Sequence, residues 1–565
     1  MMRLFIFISI FLTLNAFGQK YGYEKGCVVS AHRVASEVGV KILKQGGNAV
    51  DAAVAVHFAL AVVYPEAGNI GGGGFLFCRK NDGQVLALDF REKAPSKASK
   101  NMYLDSLWQV KEGLSLNGHL AAGVPGSVAG MFEAHRKLGK LTWTELLQPA
   151  IELARNGVLL SPFETFKLNW GQNNFMKYNT VFPKPFVEKS GDTLKKWKEG
   201  ELFKQPQLAK TLETIQKEGV KGFYEGWVAD SIVAEMKRGK GLITHQDLLD
   251  YQPIWREPLT ANYKNFTILT MPPPSSGGVC LLQMLKMIEN QTISKWEFDN
   301  PEIIHTITEA MRRAYSDRTL YLGDPDYFKI PVEELLNANY LKNKMSNFNP
   351  NKTTPFNSLL NTTLLKSTTC IKECEETTHF SIVDSAGNAV AVTTTLNGSF
   401  GSSVVVSGAG FFLNNEMDDF SIKTGVGNMY GLVGGKINAV ASGKRMLSSM
   451  TPTIVLKDKQ LYLVLGSPGG STIINSVLQV ILNVVELGMD IQKAVSEPRF
   501  HHQWLPDKLD YEENRFSEIT IKKLTEKGQV LSKRRRFGRV DAILIKEGKK
   551  YGGADPRGED VGGGY

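Results

Sequence analysis

Apolar residues recur at helical spacing near the start of the chain and at alternating spacing after residue 377, and this change of period organises the sequence. Between residues 33 and 45, Val34, Val38 and Ile42 fall every four positions, one face of a helix, and Gly46-Gly47 stops it. Asn48 then caps a second helix over residues 49–62. Gly71 to Gly74 lead into Phe75-Leu76-Phe77, a strand, and residues 85–90 form another. Helices are predicted at 142–156, 207–219, 279–289 and 303–315, so the first half is mixed and helix-rich.

From about 343 to 376 the composition shifts to Asn, Thr, Ser and Lys, as in Asn349-Pro350-Asn351-Lys352-Thr353-Thr354. Such a stretch buries too little apolar surface to offset its ordering entropy, and it is expected to be an exposed, mobile connector. From Thr377 onward the pattern is β-rich: strands at 379–384, 389–395, 452–457 and 462–465, then a helix over 471–487. The turn Ser385-Ala386-Gly387-Asn388 sets the register of the first two. A three-residue loop with Gly387 left-handed places Thr377 opposite Thr395, close enough for their hydroxyls to bond; a two-residue loop shifts the pairing by one and separates them.

The 565 residues suffice for one large core or two to three average domains. A net charge of +9 could suggest an anionic partner, but Lys and Arg are spread along the chain among acids. The one dense run, Lys533-Arg534-Arg535-Arg536 with Arg539, is read as a solvated face, and no nucleic acid partner is expected. Met1-Met2-Arg3, an apolar stretch over 4–14 and the small residues Ala16 and Gly18 make residues 1–18 a secretory signal peptide, cut before Gln19. The stretch is short of the about 20 residues a bilayer span needs, so no membrane anchor should persist after its removal, and a soluble periplasmic or secreted protein is expected. Cys27, Cys78 and Cys280 read as small buried hydrophobes; Cys370 and Cys374 are close enough to bridge, and both states remain open. The histidines have no metal-ligand spacing, and His501-His502 is read as structural.

Several strings carry chemistry when taken in order: Gly46-Gly47-Asn48-Ala49-Val50-Asp51-Ala52-Ala53, Asp89-Phe90-Arg91-Glu92, residues 271–278, Thr377-Thr378-His379, residues 413–420, Leu447-Ser448-Ser449-Met450 and Gly466-Ser467-Pro468-Gly469-Gly470. Singly each fits an ordinary structural role. The glycines at 71–74 lack dinucleotide-binding spacing, and the serine at 467 stands one place too early for a nucleophile elbow. Together, from Gly26 to about Gly558, they closely resemble the γ-glutamyltransferase family of N-terminal-nucleophile hydrolases.

That resemblance implies an α+β fold, a four-layer αββα sandwich. It further implies a precursor cut between Glu376 and Thr377 into a large subunit, 19–376, and a small one, 377–565, which stay together as a heterodimer. A threonine hydroxyl is a poor nucleophile without a base, and the new chain end supplies one, an α-amine with a pKa of about 7.7–8.0. By resemblance Thr395 orients the Thr377 hydroxyl, and Gly469 and Gly470 form the oxyanion hole. The resemblance likewise implies that Arg91, Ser448 and Ser449 hold the donor's α-carboxylate, while Asn397, Glu416 and Asp419 receive its α-ammonium. Tyr430, in the glycine-rich stretch 424–435, falls where some members carry a lid. The implied reaction moves a γ-glutamyl group from glutathione or a similar amide to water, an amino acid or a peptide, without metal or organic cofactor. Two alternatives stand beside it: a glutaryl (cephalosporin) acylase of the same fold, and an uncleaved binding protein that keeps the pocket without the chemistry.

Overall fold

The computed structural model describes residues 22–291, 297–359 and 377–565. Two antiparallel sheets lie face to face. The first has seven strands in the order Val561–Gly564, Cys27–Ser30, Thr378–Val383, Ala389–Thr395, Gly73–Arg79, Val85–Phe90 and Ile254–Arg256. The second has six: Lys549–Gly553, Asp541–Lys546, Gln460–Gly466, Thr453–Lys457, Phe266–Thr270 and Leu259–Tyr263. The hairpin that begins at Thr378 is flanked on both sides by strands from before residue 100, so both halves of the sequence build one sheet.

Strand alternation explains the layering. Val390 and Val392 join Phe380, Ile382, Leu76 and Cys78 in a core shared with the helices, while Ala389, Ala391, Phe75 and Phe77 point the other way and meet Ile454, Val464 and Ile543 of the second sheet. On the far side, Val455, Leu463, Leu465 and Leu544 pack under helices Gly277–Glu289, Pro301–Tyr321 and Ile473–Val485. Each fully buried aliphatic side chain in these layers stabilises by roughly 1.5–3 kcal/mol. Helix, sheet, sheet, helix is the α+β architecture expected. Helix Ala49–Val63 is buried along its whole length, which suits its nearly uniform apolar composition, and Asn48 and Asp51 close its N-terminus as a capping box. Cys27, Cys78 and Cys280 are buried free thiols, as read from the sequence.

Three expectations need correction. The helix predicted at 303–315 runs from Pro301 to Tyr321, because the polar residues that looked like its end are buried and partnered: Asp317 accepts from Gln283 and Tyr340, and Arg318 donates to Ser276. The connector is not free from residue 343. Thr354 is 3% exposed and bonded to Arg312 and Arg313 of that helix, Asn347 also accepts from Arg313, and Phe356 stacks on Trp504. Composition missed this because the partners that hold the segment, Arg312, Arg313 and Trp504, lie elsewhere in the chain. Residues 360–376, with Cys370, Cys374 and Glu376, lie outside the described residues, as do 1–21. Finally, Lys533, Arg535 and Arg536 are exposed, but Arg539 turns inward to Tyr64 and Asp560. Among the described residues, no helix is long and apolar enough to cross a membrane.

Candidate active site

The hairpin fixes the central pair. Asp384 N–H donates to Asn388 O at 3.0 Å, Gly387 has φ +86°, and Thr378 pairs with Thr394. This is the three-residue loop, and it sets Thr377 Oγ1 3.3 Å from Thr395 Oγ1. Thr395 Oγ1 also accepts from Asn397 N–H at 2.7 Å. Asn397 sits in the left-handed region, φ +74°, and is held there by its side chain donating to Asn415 O and by Tyr430 Oη donating to Asn397 O at 2.7 Å. The same face of the hairpin is polar further in. His379 bonds Thr393 Oγ1 at 2.8 Å and Ser381 Oγ at 3.1 Å. Burial pushes its imidazole down to about 3, so it is neutral. A Cβ at Gly466 of the facing sheet would lie 2.3 Å from that ring, which is why a glycine stands there.

Arg91 follows the end of strand Val85–Phe90 and is 1% exposed. Its guanidinium pairs with Glu416 Oε2 at 2.7 Å, Asp419 Oδ2 at 2.5 Å and, more distantly, Glu92 Oε2 at 3.5 Å. Both acids come from one 3-10 turn, Glu416–Asp419. Sequence reasoning assigned Arg91 and these acids to opposite ends of a bound molecule; here they hold each other. Burial pushes the Glu416 carboxyl well above its usual range, against the pull of Arg91, and pushes Glu92 up to about 8. The site therefore concentrates acid and guanidinium where water is scarce, the condition under which such pairs exchange for ligand charges with large energies.

Across the cleft, Ser448 and Ser449 are buried, with Met450 N–H donating to Ser448 Oγ at 3.1 Å. Gly469 and Gly470 turn with φ +125° and +52° into the helical segment that follows, which makes glycine necessary at both. Arg91, Thr377, Thr395, Asn397, Glu416, Asp419, Tyr430, Ser448, Ser449 and Gly470 line one cleft, and Gly469 precedes Gly470 in the turn.

The family described as gamma-glutamyltranspeptidase has a model that matches residues 35–565. The chain belongs to the γ-glutamyltranspeptidase family. It is 44% identical over 544 residues to the glutathione hydrolase proenzyme of Escherichia coli K12, covering 96% of this chain and 92% of that one. The crystal structure of Helicobacter pylori γ-glutamyltranspeptidase aligns with TM-score 0.56 at 46% identity, over 60% of this chain and 95% of its own. That of a Bacillus halodurans cephalosporin acylase aligns with TM-score 0.82 at 24% identity, over 96% of both chains, a likeness of fold alone.

In this γ-glutamyltranspeptidase family member the cleft also has walls that the sequence reading left without a role. Leu432, Met450 and Ile473 add apolar surface. Tyr430 lies against Gly470: a Cβ there would be 2.3 Å from the tyrosine ring. The segment carrying Tyr430 is tied to the acidic turn. Asn428 donates to Asp419 Oδ1 at 2.9 Å and accepts from Tyr430 and Leu432 N–H. Asp418 Oδ2 accepts from Met429 N–H at 2.8 Å, and its other oxygen accepts from Ser115 Oγ at 2.6 Å. Burial pushes Asp418 up to about 6. A signal was available for this in the repeated Asp418-Asp419, but nothing in the sequence separates the acid that faces the cleft from the one that holds the loop.

Proposed function

We propose that this chain cuts itself between Glu376 and Thr377 and that Thr377 then transfers γ-glutamyl groups from glutathione or related amides to water, amino acids or peptides. The observation that carries the reading is the Thr377–Thr395 hydroxyl pair at 3.3 Å, at the head of a strand and in one cleft with Arg91, Glu416 and Asp419. Once cleavage frees it, the Thr377 α-amine takes the proton of its own hydroxyl as Oγ1 attacks the γ-carbonyl. Backbone N–H groups of Gly469 and Gly470 stabilise the oxyanion; one such donor is worth about 3 kcal/mol of barrier. The amine leaves with the proton, and water or a second amine releases the glutamyl group from Thr377. Arg91, Ser448 and Ser449 take the donor's α-carboxylate, and Glu416, Asp419 and Asn397 take its α-ammonium. The zwitterion thus enters between Arg91 and its acids, replacing each internal ion pair with one to the substrate. Tyr430 closes over the acyl group. Relatives named proenzymes, and a Helicobacter chain that aligns with only 60% of this one, support a processed heterodimer of 19–376 and 377–565. Residues 1–18 direct export.

The acids argue against a glutaryl acylase, since a glutaryl group has no ammonium for Glu416 and Asp419. Rates with γ-glutamyl and glutaryl p-nitroanilides test this. The γ-glutamyl donor should be preferred by at least about a hundredfold, the scale at which unpaired buried charges discriminate; preference for the glutaryl donor would overturn the assignment.

A further inference from the structure

Arg318 is a buried guanidinium with no carboxylate partner among the described residues. It lies in the last turn of helix Pro301–Tyr321 and is 5% exposed. Its Nε donates to Ser276 Oγ at 2.9 Å, and its Nη2 to Ser449 Oγ at 3.3 Å. Ser276 in turn donates to Ser448 O at 2.6 Å from Oγ and 2.8 Å from its N–H. Arg318 thus holds Ser449 directly by its hydroxyl and Ser448 only indirectly, through Ser276 and the Ser448 carbonyl. The ionised groups of the cleft that bear on it are Asp419, which favours its charge, and Arg91, which opposes it. Asp419 is itself engaged by Arg91. The C-terminal carbonyls of its own helix offset only part of the charge.

Two consequences follow from elementary hydrogen-bond chemistry. A guanidinium has donors and no acceptor, so the Ser449 hydroxyl, which accepts from Arg318, must aim its proton elsewhere. Ser448 Oγ is placed the same way by Met450 N–H. Both hydroxyls can therefore present protons to the cleft they line, backed by a positive charge that pairs with no carboxylate among the described residues. That arrangement suits an anion and disfavours an ammonium or an amide nitrogen. We propose that Arg318 is the positioning residue of the carboxylate subsite, polarising Ser449 toward the donor's α-carboxylate and supplying the second positive charge there beside Arg91. This rests on the reading of Ser448 and Ser449 as carboxylate ligands.

The test is inhibition of the processed enzyme by L-glutamate, together with turnover of a γ-glutamyl p-nitroanilide at saturation. Arg318→Met should raise the glutamate Ki and the donor KM about 10- to 100-fold, the range for a charge-assisted bond, with kcat near that of the parent. Arg318→Lys keeps the charge but not the fork that spans Ser276 and Ser449, and should show the same split at smaller size. It carries the test if the Met variant does not mature. An unchanged Ki, or a kcat that falls in step with the rise in KM, overturns the proposal. Ser449→Ala separates the two levels of inference. If it too leaves Ki unchanged, the carboxylate reading of the serines fails; if it raises Ki while both Arg318 variants do not, only the role of Arg318 fails.

Discussion

At the scale of single residues, the cleft is governed by where ionisable groups are buried and what faces them. Asp418 is the plainest case. Its carboxyl rises from 3.8 to about 6 because burial outweighs the bonds from Ser115 and Met429. An acid whose pKa is higher folded than unfolded favours the folded state most when protonated. Its contribution is therefore most favourable below about pH 4 and is lost as pH rises through about 6, a loss on the order of 3 kcal/mol. Asp418→Asn keeps the shape, and the Ser115 hydroxyl can turn to accept from the new amide. The melting temperature of the variant relative to the parent should rise as pH goes from 4 to 7 and level off above; a difference independent of pH would show that Asp418 is not held in this way. Neither the burial nor the pairing could be read from the Asp418-Asp419 dipeptide.

Among elements, the hairpin was the most legible. Two alternating runs and one glycine at the correct offset determine its register, because a one-residue slip would turn Thr377, Thr393 and His379 to the wrong face. The helix Pro301–Tyr321 was less so. Ser316, Asp317, Arg318 and Thr319 near its end are polar but buried, so hydrophobic periodicity stops short of Arg318, the residue with most to say about the cleft. The segment around Tyr430 was legible as glycine-rich chain and, by resemblance, as the place of a lid, but its anchors were not. In the structure it is held by Asn428, by Asp418 and by Tyr430 Oη on Asn397 O, which links it directly to the backbone that orients Thr395. Removing the ring opens the cleft to water and also loses a bond worth about 0.5–1.5 kcal/mol. Tyr430→Ala should therefore mature normally but shift product from transfer to hydrolysis when an acceptor amine is present. Product analysis by chromatography reads the ratio, and an unchanged ratio would remove Tyr430 from the role of lid.

For the molecule as a whole, the fold class followed from the family strings, with the order of patterns only compatible with it, while the way the two halves interlock did not. Strands Thr378–Val383 and Ala389–Thr395 lie between Cys27–Ser30 and Gly73–Arg79, and the second sheet likewise joins Thr453–Lys457 to Phe266–Thr270. Both cores mix residues from before and after 377. A cut at that point leaves the sheets and cores shared, so the products are held by the same burial that folded the precursor. The bonds of Asn347 and Thr354 to Arg312 and Arg313 would fasten the larger product of such a cut on the N-terminal side of it. The proposed scission would then change only the chemical identity of the group on Thr377.

The most direct test of the account is intact mass and N-terminal sequencing of the purified, active protein under denaturing conditions. The account predicts two chains, the smaller beginning Thr-Thr-His at Thr377, and a Thr377→Ala protein that remains one inactive chain. An active protein that is continuous across 376 and 377, or a small chain beginning at any other residue, would contradict it.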